Sequence, residues 1–348
     1  MNPLLGLALV LSAGTLNGSY ALPMKKTTRW KFENTWLVYS VVAMLVLNWA
    51  IALSSVPNLT DVYVRAGMMP VTMAFAFGLI WGLGNLLFGA GIYLIGISLT
   101  FPICIGLSTA LGSLIPMALD PQVFLTPAGA TITLGVAVLV AGVVVCALAG
   151  LRMDAQAKSS GIAKGAATVS AGRNTLGKGL AIVLLSGLCD PFLNFAFTFG
   201  DRIKQEAVAA GASAGAESDA IWALALLGSF VVNVVYCTRL LTRNATWARF
   251  REPGTASYWF MAGAMAFIWM FSITLYGRGA SMMGPLGGSA GWALFYCSII
   301  ISSTFWGIVS GEWRQGRGRP LRTLFSGLFI LMVAIVILGY GNMLPTSQ

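Results

Sequence analysis

The chain contains no histidine. That excludes a histidine-ligated metal centre, a Ser–His pair and an imidazole proton relay. Charge is scarce as well: Asp, Glu, Lys and Arg together make 9% of the residues, against about 25% in an ordinary soluble domain. The few charges cluster between apolar runs. The formal net charge of +10 is therefore read as a membrane-topology signal and not as a nucleic-acid surface. Cysteine is limited to Cys104, Cys146, Cys189, Cys237 and Cys297, all inside apolar runs and without CxxC spacing. They read as small buried apolar residues, neither metal ligands nor disulfide partners. The first apolar run has no basic segment ahead of it and one behind it, which reads as a first membrane helix and not as a cleaved leader.

What the sequence has in abundance is apolar side chains, 57% of 348 residues. At about 20 residues per span this length holds roughly ten helices and leaves no room for a large soluble domain. Ten spans are predicted, over 3–23, 35–55, 70–92, 96–118, 130–151, 179–200, 220–241, 258–278, 288–310 and 322–343. The third and fourth are nearly continuous and are divided at Gly96. Seventeen of the 21 Lys and Arg fall in the connections after spans one, five, seven and nine, within 25–31, 152–178, 239–251 and 314–322. The positive-inside rule puts those connections in the cytoplasm and both termini on the periplasmic side.

Residues 152–177 are rich in Ala, Gly, Ser and Lys and read as a flexible cytoplasmic linker. It divides the chain into five spans (1–151) and five spans (178–348). Five is odd, so a shared fold requires the second half to lie inverted, a common plan of secondary transporters with the solute site near the midplane. A seven-residue echo points the same way: Tyr93, Gly96 and Ser98 match Tyr276, Gly279 and Ser281 in spacing.

Ser186-Gly187-Leu188-Cys189-Asp190-Pro191-Phe192-Leu193-Asn194 is the stretch with the clearest chemistry. Asp190 is the one acid deep inside a predicted span, where a carboxylate costs about 2.5–3.5 kcal/mol on insertion scales. Pro191 removes a backbone donor and frees the Gly187 carbonyl. Asn194, at i+4, shares a face with Asp190. Proton relays are one standard reason for such an acid, and a structural Asp bonded to freed backbone is the other reading. In Trp81-Gly82-Leu83-Gly84-Asn85 an aromatic ring and an amide lie one turn apart, a pairing that suits a sugar: C–H faces on the ring, hydroxyls on the amide. Gly78, Gly82 and Gly89 would also let a neighbouring backbone approach. Asn17 lies in a glycine-rich, loosened end of the first span. Asn48 and Asn233 read as glue between helices. Trp269 and Trp292 are candidate pocket walls, whereas Trp30, Trp36, Trp247 and Trp313 read as interfacial belt. No second buried charge is apparent, which favours a neutral solute.

Tyr20-Ala21-Leu22-Pro23-Met24-Lys25-Lys26 with Trp30, then Trp81 to Asn85, then Glu312-Trp313-Arg314 with Arg319-Pro320 resemble the L-rhamnose–proton symporter family of the drug/metabolite transporter superfamily. The resemblance runs from about Leu11 to Gly341. It implies an all-α, ten-helix, 5+5 inverted-repeat carrier of a bacterial inner membrane, moving a sugar with a proton. No cofactor or metal is expected.

The combined expectation is a secondary transporter working by alternating access. Asp190 is expected to couple the proton. Asn17, Asn85, Asn194 and Tyr276 are expected to meet solute hydroxyls, with Trp81 and Trp269 as apolar walls. The expected partners are a small neutral solute and membrane lipid. The alternative is a carrier of another sugar, a nucleoside or a neutral amino acid, as exporter, exchanger or facilitator. An intramembrane hydrolase would need a second acid, a metal or a serine dyad; a lone acid without histidine argues against one.

Overall fold

The computed structural model describes residues 2–159, 173–313 and 318–345. Within them there is no strand, and ten helices are long and apolar enough to cross a membrane. We label these α1 (Pro3–Asn17, its span running on to Lys26), α2 (Phe32–Ser55), α3 (Met68–Ile95), α4 (Ile97–Ala118), α5 (Pro127–Ser159), α6 (Arg173–Cys189, resuming as Phe192–Thr198), α7 (Glu217–Arg243), α8 (Ala256–Met282), α9 (Gly287–Val309) and α10 (Arg319–Gly341). Each predicted span falls on one of them. The division between α3 and α4 is at Gly96, whose φ of +84° is open to glycine at little cost. Of the expected linker, both ends are helical, to Ser159 in α5 and from Arg173 in α6; residues 160–172 lie outside the described residues, as do Arg314, Arg317 and the side chain of Ser98.

Two compact units make up the chain: Met1–Gly82 with Phe192–Gly284, and Leu83–Pro191 with Pro285–Gln348. Each draws on both sequence halves. The chain passes between units inside α3, at the Pro191 break of α6, and in the Gly284-Pro285 turn, where Gly284 has φ +92°.

In the first unit, α1 packs on α8 through a reciprocal glycine contact: a Cβ built on Gly6 would lie 2.8 Å from the Gly279 carbonyl, and one on Gly279 2.8 Å from that of Gly6. The start of α3 approaches α7 in the same way. A Cβ on Gly78 would overlap the Ala225 carbonyl, and one on Gly228 that of Phe75. Apolar burial gives no preference for protein over lipid tails, so close backbone approach supplies the packing. Gly89 of α3 meets nothing within 4 Å and has no such role.

In the second unit, α5 and α10 pack along their length. Cβ atoms on Gly135 and Gly142 would come 2.7 and 2.8 Å from Leu338 and Leu331. On α4, Cys104 faces Gly187 of α6, and Gly112 faces the Trp292 indole of α9.

Three expectations change at this level. Trp30 is no belt residue: it is 5% exposed, edge-packed on Phe250, Tyr258 and Trp259, and its indole donates to the Arg249 carbonyl at 3.0 Å. Buried charge is not confined to mid-span. Asp219, at the start of α7, is 1% exposed, held by Arg278 at 2.7 Å and by the Ser55 hydroxyl at 2.8 Å. Glu33 is 3% exposed and accepts from Asn244 and Thr246. The seven-residue echo has no common structure: Tyr93 is 73% exposed beside a helix break, whereas Tyr276 is 1% exposed inside α8.

Candidate functional site

In the second unit the polar centre is built on the α6 break. Pro191 has no amide hydrogen to continue the helix, which ends at Cys189 and resumes at Phe192. Asp190 closes the last turn with its amide on the Ser186 carbonyl (3.0 Å) and is half-buried. Its carboxylate oxygen Oδ2 accepts two hydroxyl bonds, from Ser108 of α4 at 2.5 Å and from Tyr296 of α9. Ser108 is fully buried and Tyr296 8% exposed. Hydrogen bonds to a charged group contribute about 1.5–3 kcal/mol each. Two of them are of the size needed to offset the insertion cost of a mid-span acid.

A second layer fixes these hydroxyls. Trp292, one turn before Tyr296 on α9, donates from Nε1 to the Ser108 carbonyl (3.2 Å), and its ring meets the Tyr296 ring edge-on at 4.9 Å. Gly112, one turn after Ser108, leaves the space that the Trp292 indole occupies. The same neighbourhood includes α3. A Cβ on Gly84 would lie 2.8 Å from Cys189 Cβ and 3.4 Å from the Asp190 amide, and the Gly84 carbonyl accepts from Ser186 Oγ at 2.8 Å. The next residue, Asn85, is half-buried, and its side chain has no hydrogen-bond partner among the described residues.

The first unit holds the other expected residues as three pairs. Tyr276 donates to Asn194 Oδ1 at 2.5 Å; the two are 1% and 0% exposed. Asn17, the last residue of α1, donates to Ser272 Oγ of α8 at 2.9 Å. Trp81 stacks on Trp269 with centroids 6.0 Å apart and planes 16° from parallel, and Trp269 meets Tyr39 edge-on at 5.8 Å. Ser272, Tyr276 and Trp269 lie on successive turns of α8, so a single helix positions one member of each pair. Asn48 donates to the Trp222 and Ala223 carbonyls, and Asn233 accepts from Trp36 Nε1 at 2.8 Å; both join helices within the unit.

Ser108, Ser272 and Tyr296 are the participants that residue-by-residue reading misses. One signal for Ser108 was present: Thr100, Cys104, Ser108 and Gly112 recur every four residues, a small and polar face on an otherwise apolar helix. Tyr296 and Ser272 carry no comparable mark.

Over residues 3–344 the chain matches the family profile described as L-rhamnose-proton symport protein (RhaT). A protein named L-rhamnose-proton symporter from Mannheimia succiniciproducens is 26% identical, the comparison covering 97% of this chain and 98% of that one. One of the same name from Yersinia pestis is 24% identical over the same shares. The match takes in all ten spanning helices, and the chain belongs to the L-rhamnose-proton symport protein family.

Proposed function

We propose that this chain is a secondary active transporter that carries a neutral sugar, L-rhamnose or a close relative, together with a proton across a bacterial inner membrane by alternating access. The relatives' names support the sugar and the proton. The single observation that carries the coupling role is Asp190, a mid-span acid at a proline break whose Oδ2 accepts from both Ser108 and Tyr296. In this reading the ionised carboxylate uses both hydroxyls as donors. On taking up a proton it becomes a donor itself, so one hydroxyl must turn or find another acceptor. Protonation thus changes the hydrogen-bond pattern linking α4, α6 and α9, which gives a physical route from proton to conformation.

Asn85 is the readiest contact for a sugar hydroxyl, because its amide has no hydrogen-bond partner among the described residues. Asn194, Tyr276 and Asn17 would exchange their present partners for solute hydroxyls, and the stacked pair Trp81 and Trp269 would offer apolar faces. The 5+5 inverted repeat and the periplasmic placement of both termini belong to the same proposal, supported by the Lys and Arg distribution.

The test is uptake of radiolabelled L-rhamnose into proteoliposomes with and without an inward proton gradient. Accumulation above equilibrium only with the gradient is expected. Equilibration that ignores the gradient would remove coupling, and no uptake of rhamnose by folded protein would remove this sugar.

A further inference from the structure

A groove of about 870 Å³ lies in the first unit between α2 and the 3₁₀ turn Trp247–Arg251. Its long wall is the face of α2 carrying Leu37, Val38, Val41 and Val42. These positions recur at i, i+1, i+4 and i+5, one apolar stripe running along the helix axis. At Val41 the helix passes into a π stretch, Val41–Leu47, whose wider turns displace the backbone on one side. Val38 and Val42 are backed by Trp30, Phe250 and Tyr258, so the groove cannot close by collapse of that wall.

The rest of its lining has a different chemistry. Trp247 and Trp259, each 47% exposed, contribute to it, together with Arg251. Several neighbouring charges are already engaged, whereas Glu252, next in the chain, has no side-chain hydrogen bond or ion pair among the described residues. Arg249 donates to the Arg29 carbonyl, Arg29 donates to the Pro253 carbonyl, and Glu33 is bonded to Asn244 and Thr246. Arg251 has no hydrogen bond or ion pair among the described residues.

An apolar stripe running along a membrane helix suits an acyl chain. Two exposed tryptophans, one in the 3₁₀ turn and one in the first turn of α8, suit the headgroup level. An unpaired guanidinium offers a fork matched to a phosphate. We propose that this groove binds an anionic phospholipid of the surrounding bilayer, its phosphate on Arg251 and an acyl chain along α2. A zwitterionic lipid carries an ammonium that opposes Arg251 beside the phosphate, and so fits less well. A neutral sugar has no charge to pair with the guanidinium and no acyl chain for the apolar stripe, which separates this groove from solute binding.

The experiment uses the full chain in detergent. Bound lipid is counted by native mass spectrometry while dioleoyl phosphatidylglycerol or dioleoyl phosphatidylcholine is titrated in. Phosphatidylglycerol is expected to bind more tightly. Arg251→Gln is expected to weaken it roughly fivefold, the equivalent of about 1 kcal/mol per basic side chain at a lipid surface. Ala248→Glu, an exposed position on the groove wall, sets a like charge against the phosphate and should weaken it as well. Arg322→Gln, an exposed arginine of α10, should leave it unchanged. Equal binding of the two lipids overturns the proposal, as does wild-type binding by both groove variants. Equal competition by glycerol phosphate, which has no acyl chain, overturns it too. Should Arg251→Gln fail to fold, Ala248→Glu decides.

Discussion

A carboxylate in the middle of a span is a residue-scale problem with a residue-scale solution. Asp190 keeps its place because Ser108 and Tyr296 bring hydroxyls to it, and because Trp292 and Gly112 fix those hydroxyls in turn. Asp190 was legible in the sequence because one acid in a long apolar run is costly enough to stand out. Of its partners only Ser108 left a trace, the four-residue repeat on α4, because serine and tyrosine are unremarkable inside membrane helices and only tertiary packing selects two of them. Buried charge at helix ends was hidden for a related reason. Asp219 and Glu33 border apolar runs, where sequence alone does not separate an exposed acid from one covered by Arg278 or by Asn244 and Thr246. Asn85 gives the cleanest prediction at this scale. Its side chain has no hydrogen-bond partner among the described residues, so Asn85→Ala should change stability by no more than about 0.5 kcal/mol. Loss of one hydrogen bond to a solute, about 1 kcal/mol, should still raise the half-saturation concentration for rhamnose severalfold. Thermal unfolding and uptake kinetics on the same preparation check both parts. An unchanged half-saturation concentration would remove Asn85 from the solute site.

Among the elements, glycine sets how close the helices come, and not every glycine matters. Gly78 and Gly228 put the backbones of α3 and α7 in contact, whereas Gly89 faces open space. Gly78→Ala must force the two helices apart, at a cost of about 1–3 kcal/mol or more. Gly89→Ala should instead stabilise by about 0.5–1 kcal/mol, the usual gain from removing glycine from a helix interior. Thermal midpoints of the two variants should therefore move in opposite directions, and equal shifts would contradict the packing described. The sequence could not separate these two glycines, since both lie in α3 with similar neighbours. It did mark the break at Gly96 and the interruption at Pro191, because glycine and proline act through their own backbone and need no partner to be read.

On the scale of the whole molecule, ten apolar runs became ten spanning helices, since twenty apolar residues can satisfy their backbone in lipid only as a helix. The two compact units were not legible. Their boundaries fall inside α3 and at the α6 break, and nothing in hydropathy distinguishes the two ends of one continuous span. Orientation is the prediction that belongs here. With the basic connections in the cytoplasm, a C-terminal alkaline phosphatase fusion should be active and a C-terminal green fluorescent fusion dark. The reverse pattern would invert the topology. The central claim is that Asp190 carries the coupled proton, and it is tested most directly by following proton and rhamnose fluxes together in proteoliposomes holding the wild type or Asp190→Asn. Asparagine keeps an oxygen for Ser108 and Tyr296 but cannot take up the proton. Rhamnose-driven proton entry is expected in the wild type. In the variant no proton entry and no accumulation are expected, with rhamnose counterflow retained. Undiminished proton entry with rhamnose in Asp190→Asn would contradict that claim.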